Sequence, residues 1–185
     1  GPSSLSVQPI GLKVVGAGVG TPHMLVARFN NGGHQLVHTW RTNGAWNSAV
    51  VETDTSQGCG QCSQGAQCTY DYSQYAPMTV VGSGSGDMRL IYSRTRYHGT
   101  KVGKATMYPP FSCTWTGGNV TGYIQMAWPT TGATYGKTTL VSGQIVFASG
   151  TVEAELDSKG NIHAAIYTAP TYGNSTDVRY LKIGK

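Results

Sequence analysis

Eight carboxylates make up the whole acidic inventory of this chain: Glu52, Asp54, Asp71, Asp87, Glu153, Glu155, Asp157 and Asp177. Glycoside hydrolysis needs two of them at a defined separation. Glu153 and Glu155 come nearest, since residues i and i+2 of a strand share a face with their Cα atoms about 6.6–7 Å apart. Two acids so placed are ordinarily the solvent face of a strand. Asp157, ahead of Ser158-Lys159-Gly160, reads as a turn-former whose carboxylate caps a hairpin. No Gly-x-Ser-x-Gly elbow is present, and the glycines of Gly16-Ala17-Gly18-Val19-Gly20 are not followed by the helical pattern a dinucleotide loop requires. No catalytic residue, metal site or cofactor is nominated, and the chain is expected not to be an enzyme.

Binding chemistry is better represented. Arg89, Arg94, Arg96, Lys101 and Lys104 fall close together with His98 among them, opposed only by Asp87. Strand alternation would split this group between two faces, but a turn over Arg94-Thr95-Arg96-Tyr97-His98 would present Arg94, Arg96 and His98 together. Guanidinium forks suit carboxylate, sulfate or phosphate; the plainer alternative is a solvated basic hairpin. Tyr70, Tyr72 and Tyr75 alternate with polar residues, and Trp128 lies in the turn-like Met126-Ala127-Trp128-Pro129-Thr130-Thr131-Gly132. Aromatic rings stack on the CH faces of sugars while Asn, Gln, Arg and Ser satisfy the hydroxyls, so Trp128, Tyr70, Tyr72, Tyr75, Arg94, Arg96 and His98 form the candidate ligand-binding set. Trp46 and Trp115 are expected in the core.

Composition narrows the class. Only 11% of the 185 residues are charged, against about a quarter in ordinary soluble domains. Gly (26) and Tyr (11) are abundant, a balance typical of extracellular β proteins, lectins and fibre tips. The net charge of +5 is too thinly spread for a phosphate-tracking surface, so nucleic acid is excluded as a partner. No apolar run approaches the ~20 residues of a membrane helix, and no membrane insertion is expected. Cys59, Cys62, Cys68 and Cys113 lack the two-pair spacing of a zinc knuckle. Disulfides would pin the polar, glycine-rich loop that carries the first three, with Cys113 bonded to one of them and the connectivity otherwise open. Two bridges point to an oxidising compartment, hence an extracellular or cell-surface location. Gly1-Pro2 reads as the remnant of a cleaved expression tag, leaving 3–185 as a single all-β domain taken from a longer extracellular protein.

The elements that must position these residues are strands. Val14-Val15-Gly16-Ala17-Gly18-Val19-Gly20 recurs 66 positions later as Val80-Val81-Gly82-Ser83-Gly84-Ser85-Gly86. Each copy runs into an apolar stretch, Met24-Leu25-Val26 or Leu90-Ile91-Tyr92, and fixed-offset similarity of this kind marks repeated supersecondary units. Asn30-Asn31-Gly32-Gly33 reads as a hairpin turn between strands at 24–29 and 35–40. A longer turn is expected around Tyr97-His98-Gly99, between strands at 89–93 and 101–106. Residues 162–167 and 178–183 flank another turn at Thr171-Tyr172-Gly173-Asn174. Trp46 and Trp115 fall where a fourth strand would open. No helical periodicity is sustained over three turns.

Residues 152–183, with Asp157-Ser158-Lys159-Gly160-Asn161-Ile162-His163 leading to Val178-Arg179-Tyr180-Leu181-Lys182, resemble a blade of the sialidase-like or lectin-like β-propellers. The resemblance implies a Gly-Asn turn between the first two strands of a blade and a tyrosine near the end of the third. The Asp-box and the catalytic constellation of active sialidases are absent. Three units do not close a ring of four to eight blades. The expected fold is therefore all-β, with antiparallel sheets of repeated three- to four-stranded units, stabilised by disulfides. It is arranged as a β-sandwich or fibre-tip-like fold, alternatively as propeller-like blades. The expected function is a non-catalytic recognition module, an adhesin, lectin-like domain or fibre tip, that binds a cell-surface glycan, neutral or anionic. It would act alone or as a homo-oligomer such as a trimer. Two alternatives stand beside it: a fragment of a glycan-active hydrolase, and a structural oligomerisation domain.

Overall fold

A computed structural model describes residues 12–15, 21–30, 33–55, 59–82, 88–107, 112–143, 145–146, 152–170 and 177–184. Gly1-Pro2, the first glycine motif at 16–20, most of its repeat at 83–87, Asn31-Gly32 and the turn at 171–174 lie outside them. The described chain is all-β and antiparallel, with strands gathered into three sheets.

The first sheet is a meander of β1 (Leu12–Val15), β2 (Thr21–Asn30), β3 (Gly33–Thr42) and β4 (Ala45–Thr55). β3 and β4 meet at Asn43-Gly44, both at positive φ, the backbone that a two-residue hairpin turn requires and that Asn-Gly supplies at least cost. The central sheet contains β5 (Gln67–Val81), β6 (Arg89–Ala105), β7 (Cys113–Thr116), β8 (Asn119–Pro129) and β9 (Tyr135–Gly143), in the order β5-β6-β8-β9. β7 continues the line of β8 along the same strand, pairing with 102–105 of β6 where β8 pairs with 90–98. The third sheet joins β10 (Ile145–Val146), β11 (Val152–Leu156), β12 (Ile162–Pro170) and β13 (Asp177–Ile183) around β12. The repeated glycine motifs thus sit between antiparallel neighbours in both copies, β1 with β2 and β5 with β6.

Alternation builds two cores on opposite faces of the central sheet. Leu90 and Tyr92 of β6, Tyr75 and Val80 of β5 and Ala127 of β8 pack against Leu25, Leu36 and Val51 of the first sheet. Ile91, Val81, Ile124 and Met126 turn the other way, onto Ala154, Ile162 and Ala164 of the third. A bulge between Pro77 and Thr79 inserts Met78 into β5 and inverts its parity, which is why odd-numbered Tyr75 and even-numbered Val80 share one core. The sandwich expectation is met by this stack of three sheets.

Neither core includes a residue before Tyr75 on β5 or beyond Tyr92 on β6. The distal half of the central sheet therefore projects past the sandwich, over about 26 Å of β5 at the usual rise per residue. The cysteine loop closes its end through Cys59–Cys68 and Cys62–Cys113, so the disulfide expectation holds and Cys62 is the partner of Cys113. Gly65 N donates to Gly103 O and Gly103 N to Ala66 O. Gly103 admits no side chain there, since a Cβ would overlap the Ser63 carbonyl.

One expected turn is corrected. Residues 97–99 do not end a strand: β6 runs unbroken from Arg89 to Ala105. Gly99 takes a positive φ of 116° within it, and pairing on both edges holds the strand straight through that position. The reversal comes later, between β6 and β7, where Thr106 N donates to Ser112 O.

Candidate ligand-binding face

Because β6 is continuous, Arg94, Arg96 and His98 occupy alternate positions of one strand and so one face. The togetherness expected from a turn comes from strand periodicity instead. Arg89 and Lys101 fall on the opposite face, as alternation demands. Tyr75, Ser73 and Asp71 of β5 lie across from the three on one side, and Tyr123, Thr121 and Asn119 of β8 on the other.

The interactions along this row differ from residue to residue. Arg96 makes a two-pronged contact with Asp71, its Nε donating to Oδ1 at 2.8 Å and its Nη2 to Oδ2. That pairing holds the Asp71 carboxyl below its ordinary range. His98 Nε2 is hydrogen-bonded to Thr121 Oγ1 at 3.1 Å. Arg94 donates Nε to the fully buried Ser73 hydroxyl at 2.9 Å and lies 5.8 Å from the centre of the Tyr123 ring. No ion pair of Arg94 occurs among the described residues. Where the row enters the sandwich, Tyr92 Oη donates to Glu52 Oε1 at 3.0 Å and Lys137 Nζ reaches the same oxygen at 3.2 Å. Burial and the nearby Glu52 carboxylate push the Tyr75 and Tyr92 phenols upward.

The remaining candidates are placed elsewhere. Tyr75 is on the arginine face but belongs to the first core, which removes it from any surface. Tyr70 and Tyr72 point to the reverse face with Tyr97, a residue the sequence reading passed over. Tyr72 stacks on Tyr97 at 4.9 Å, and Lys101 Nζ sits 4.2 Å above the Tyr70 ring. Tyr70 is buried under Gly118, where a Cβ would collide with the phenol. These rings cover one another and leave little open face for a sugar. Trp128 is in strand β8 rather than a turn, lies across from Gly136 and packs on the second core; a Cβ at Gly136 would strike its indole. Trp46, expected in the core, is instead 51% exposed, and Trp115 donates its indole N–H to Gly60 O in the disulfide-bonded loop. The proposed binding set is therefore divided among two faces and two cores, and only Arg94, Arg96 and His98 share an open surface. Asp71, Ser73, Thr121 and Tyr123 complete that surface. They escaped the sequence reading because only the strand register places them beside the arginines.

Two further polar clusters were not expected as such. His23 Nδ1 and His38 Nε2 are hydrogen-bonded at 2.9 Å, and His38 Nδ1 meets Tyr135 Oη at 2.9 Å. At the surface, Asp157 Oδ1 accepts from the backbone N–H of Lys159 and Asn161, Oδ2 meets His163 Nε2 at 3.1 Å, and His163 Nδ1 contacts Tyr180 Oη. The carboxylate of Asp157 caps its turn as expected. Glu153 and Glu155 fall in β11 across from Ala165 and His163. No group of three or more His, Cys, Asp or Glu with metal-binding geometry occurs among the described residues, and no helix is long and apolar enough to cross a membrane.

No family model, curated protein or solved structure matches this chain.

Proposed function

We propose that the chain is a non-catalytic, extracellular recognition module that binds a glycan on a cell surface, and that the glycan lies on the open face of the projecting half of the central sheet. The observation that supports it most is the composition of that face. Three adjacent strands set guanidinium, imidazole, hydroxyl and amide groups around the Tyr123 ring, outside both hydrophobic cores. Sugar hydroxyls take such donors and acceptors, and a tyrosine ring accepts a CH face. The two disulfides bracing the end of this projection suit an oxidising location and hold the face rigid before binding, which lowers the entropic cost of association.

Screening against an immobilised glycan panel, with turnover of the bound oligosaccharides followed in parallel, tests the reading. Binding without hydrolysis, lost in the Thr121→Ala/Tyr123→Ala double variant, is the expected result. Hydrolysis of a bound sugar would establish the enzyme alternative, and a panel with no binding would end the recognition reading.

A structural oligomer is favoured by one separate feature: Val178 and Tyr180, 72% and 65% exposed, lie together on β13. Sedimentation equilibrium decides it, a trimer or dimer supporting assembly through this sheet and a monomer removing it.

A further inference from the structure

Arg94 differs from its neighbours on β6 in a way that identifies a chemical class of ligand. Arg96 spends its fork on Asp71, and the nearest described carboxylate towards the sandwich, Glu52, takes Lys137 and Tyr92. Arg94 gives its Nε to Ser73, and among the described residues its terminal nitrogens have no hydrogen-bond or ion-pair partner. A half-buried guanidinium in that condition is costly unless something negative completes it. Its orientation is already fixed: Ser73 is fully buried and holds Nε from below, and the Tyr123 ring flanks the plane.

We propose that Arg94 is the anchor for an oxyanion on the bound glycan, a carboxylate or sulfate ester, received by its two terminal nitrogens. This rests on the glycan-binding reading above and deepens it. Three features converge. A planar fork with its Nε tied back presents the remaining N–H groups in the geometry that carboxylate and sulfate oxygens match two at a time. Arg96 and His98 continue the row at steps of about 7 Å, so positive potential extends beyond the anchor even though Arg96 is paired. The Tyr123 ring beside the guanidinium offers an apolar surface for the ring that carries the anion. Asp71 stands farther along the row and is neutralised by Arg96, so it does not oppose an anion at Arg94. Glu52 does face the proximal end of the row, and Lys137 offsets its charge.

Two measurements separate this inference from the reading it rests on. The first follows the Arg94 Nε–H resonance by NMR while sodium sulfate or sodium acetate is added, with sodium chloride at matched ionic strength as control. A saturable shift at Arg94, absent at Arg96, is expected; no shift, or equal shifts at both arginines, overturns the anchor. An Nε–H that responds to sulfate alone identifies a sulfate ester, and a response to acetate a carboxylate. The second compares wild type, Arg94→Gln and Arg94→Lys on a glycan panel containing sialylated, sulfated and unsubstituted versions of the same oligosaccharides. Wild type should prefer the anionic versions, Arg94→Gln should lose tenfold or more in affinity for them, and Arg94→Lys, which keeps the charge but not the fork, should lose less. Equal binding of the unsubstituted sugars, retained in Arg94→Gln, would leave the glycan reading intact and remove the anchor. An anion response at Arg94 with no glycan bound would remove the glycan reading and leave the anion site. Unchanged melting temperature and retained dispersion of the amide spectrum in Arg94→Gln confirm that affinity, not folding, is being read.

Discussion

The chain contains two histidine–tyrosine contacts, one sealed between sheets and one on the surface, and they have opposite electrostatics. In the interior, His38 touches Tyr135 on one side and His23 on the other, with no carboxylate partner. Burial, followed by the neighbouring His23, lowers its proton affinity to a pKa of about 4; burial lowers His23 as well and pushes Tyr135 up to about 12. At the surface, His163 touches Tyr180 and is flanked by Asp157, whose carboxyl is held well below its usual range by Asn161 and then His163. The first cluster joins the first sheet to β9 of the central sheet through neutral groups. The second ties a turn to an edge strand through a charge. A His–Tyr contact, even with an aspartate behind it, does not make a catalytic site here, since neither cluster faces an enclosed cleft in the described structure and each has a structural task.

Acid should break this comparison most visibly. The folded pKa of His38 lies below its unfolded value of about 6.5, so the unfolded chain binds more protons between the two. Stability is therefore full above pH 6.5 and is lost progressively as the pH falls towards 4, by about 3 kcal/mol for a shift of this size. Protonating both rings also sets N–H against N–H with two charges at a centroid separation of 5.1 Å. Urea unfolding at a series of pH values checks it. A stability that stays flat from pH 7 to 4.5 would show that the pair is not sealed.

Replacing Asp157 by Ala should do less. The variant frees the Lys159 and Asn161 amides and the His163 ring. The third sheet should lose stability relative to the rest, read as faster amide exchange in β11 to β13 with little change in β2 and β3. Because the Asp157 pKa is depressed, its contribution is present above the ordinary carboxylate range and disappears only below about pH 4, a window separate from that of His38. Loss of exchange protection in β2 and β3 would mean that the two regions are not independent. The smallest effect is expected for Tyr180→Phe. Tyr180 is largely exposed, and removing its hydroxyl should leave the melting temperature unchanged, whereas a marked drop would assign the surface contact the same weight as the buried one.

Local patterns carried most of the architecture. The 66-residue glycine offset, the absence of helical periodicity and the strand-rich segments pointed to repeated antiparallel units, and strands with these pairings are what the chain forms. The same reading misplaced the turn at 97–99, because glycine beside histidine signals a reversal only when no partner strand is available on both edges. It also grouped Tyr70, Tyr72 and Tyr75 as one set. Alternation sends Tyr70 and Tyr72 to one face and Tyr75 to the other, and the depth of the first core then removes Tyr75 from the surface. Trp128 was read from its flanking Pro129 and Gly132, which describe the end of its strand but not the core beneath it.

Periodicity, turn chemistry and cysteine count act over a few residues, and for that reason strand content, the capped turn at Asp157 and the presence of disulfides were already written in the order of the amino acids. The partner of Cys113, the bulge at Met78, the burial of Tyr75 and the division of the candidate residues between two faces depend on contacts between segments far apart in the chain. Arg94 illustrates the divide: its side of β6 follows from simple alternation, but its lack of a carboxylate depends on Asp71 reaching Arg96 and on Lys137, 43 positions along the chain, reaching Glu52. Long-range pairing distributes the charges, and no local pattern of residues records how.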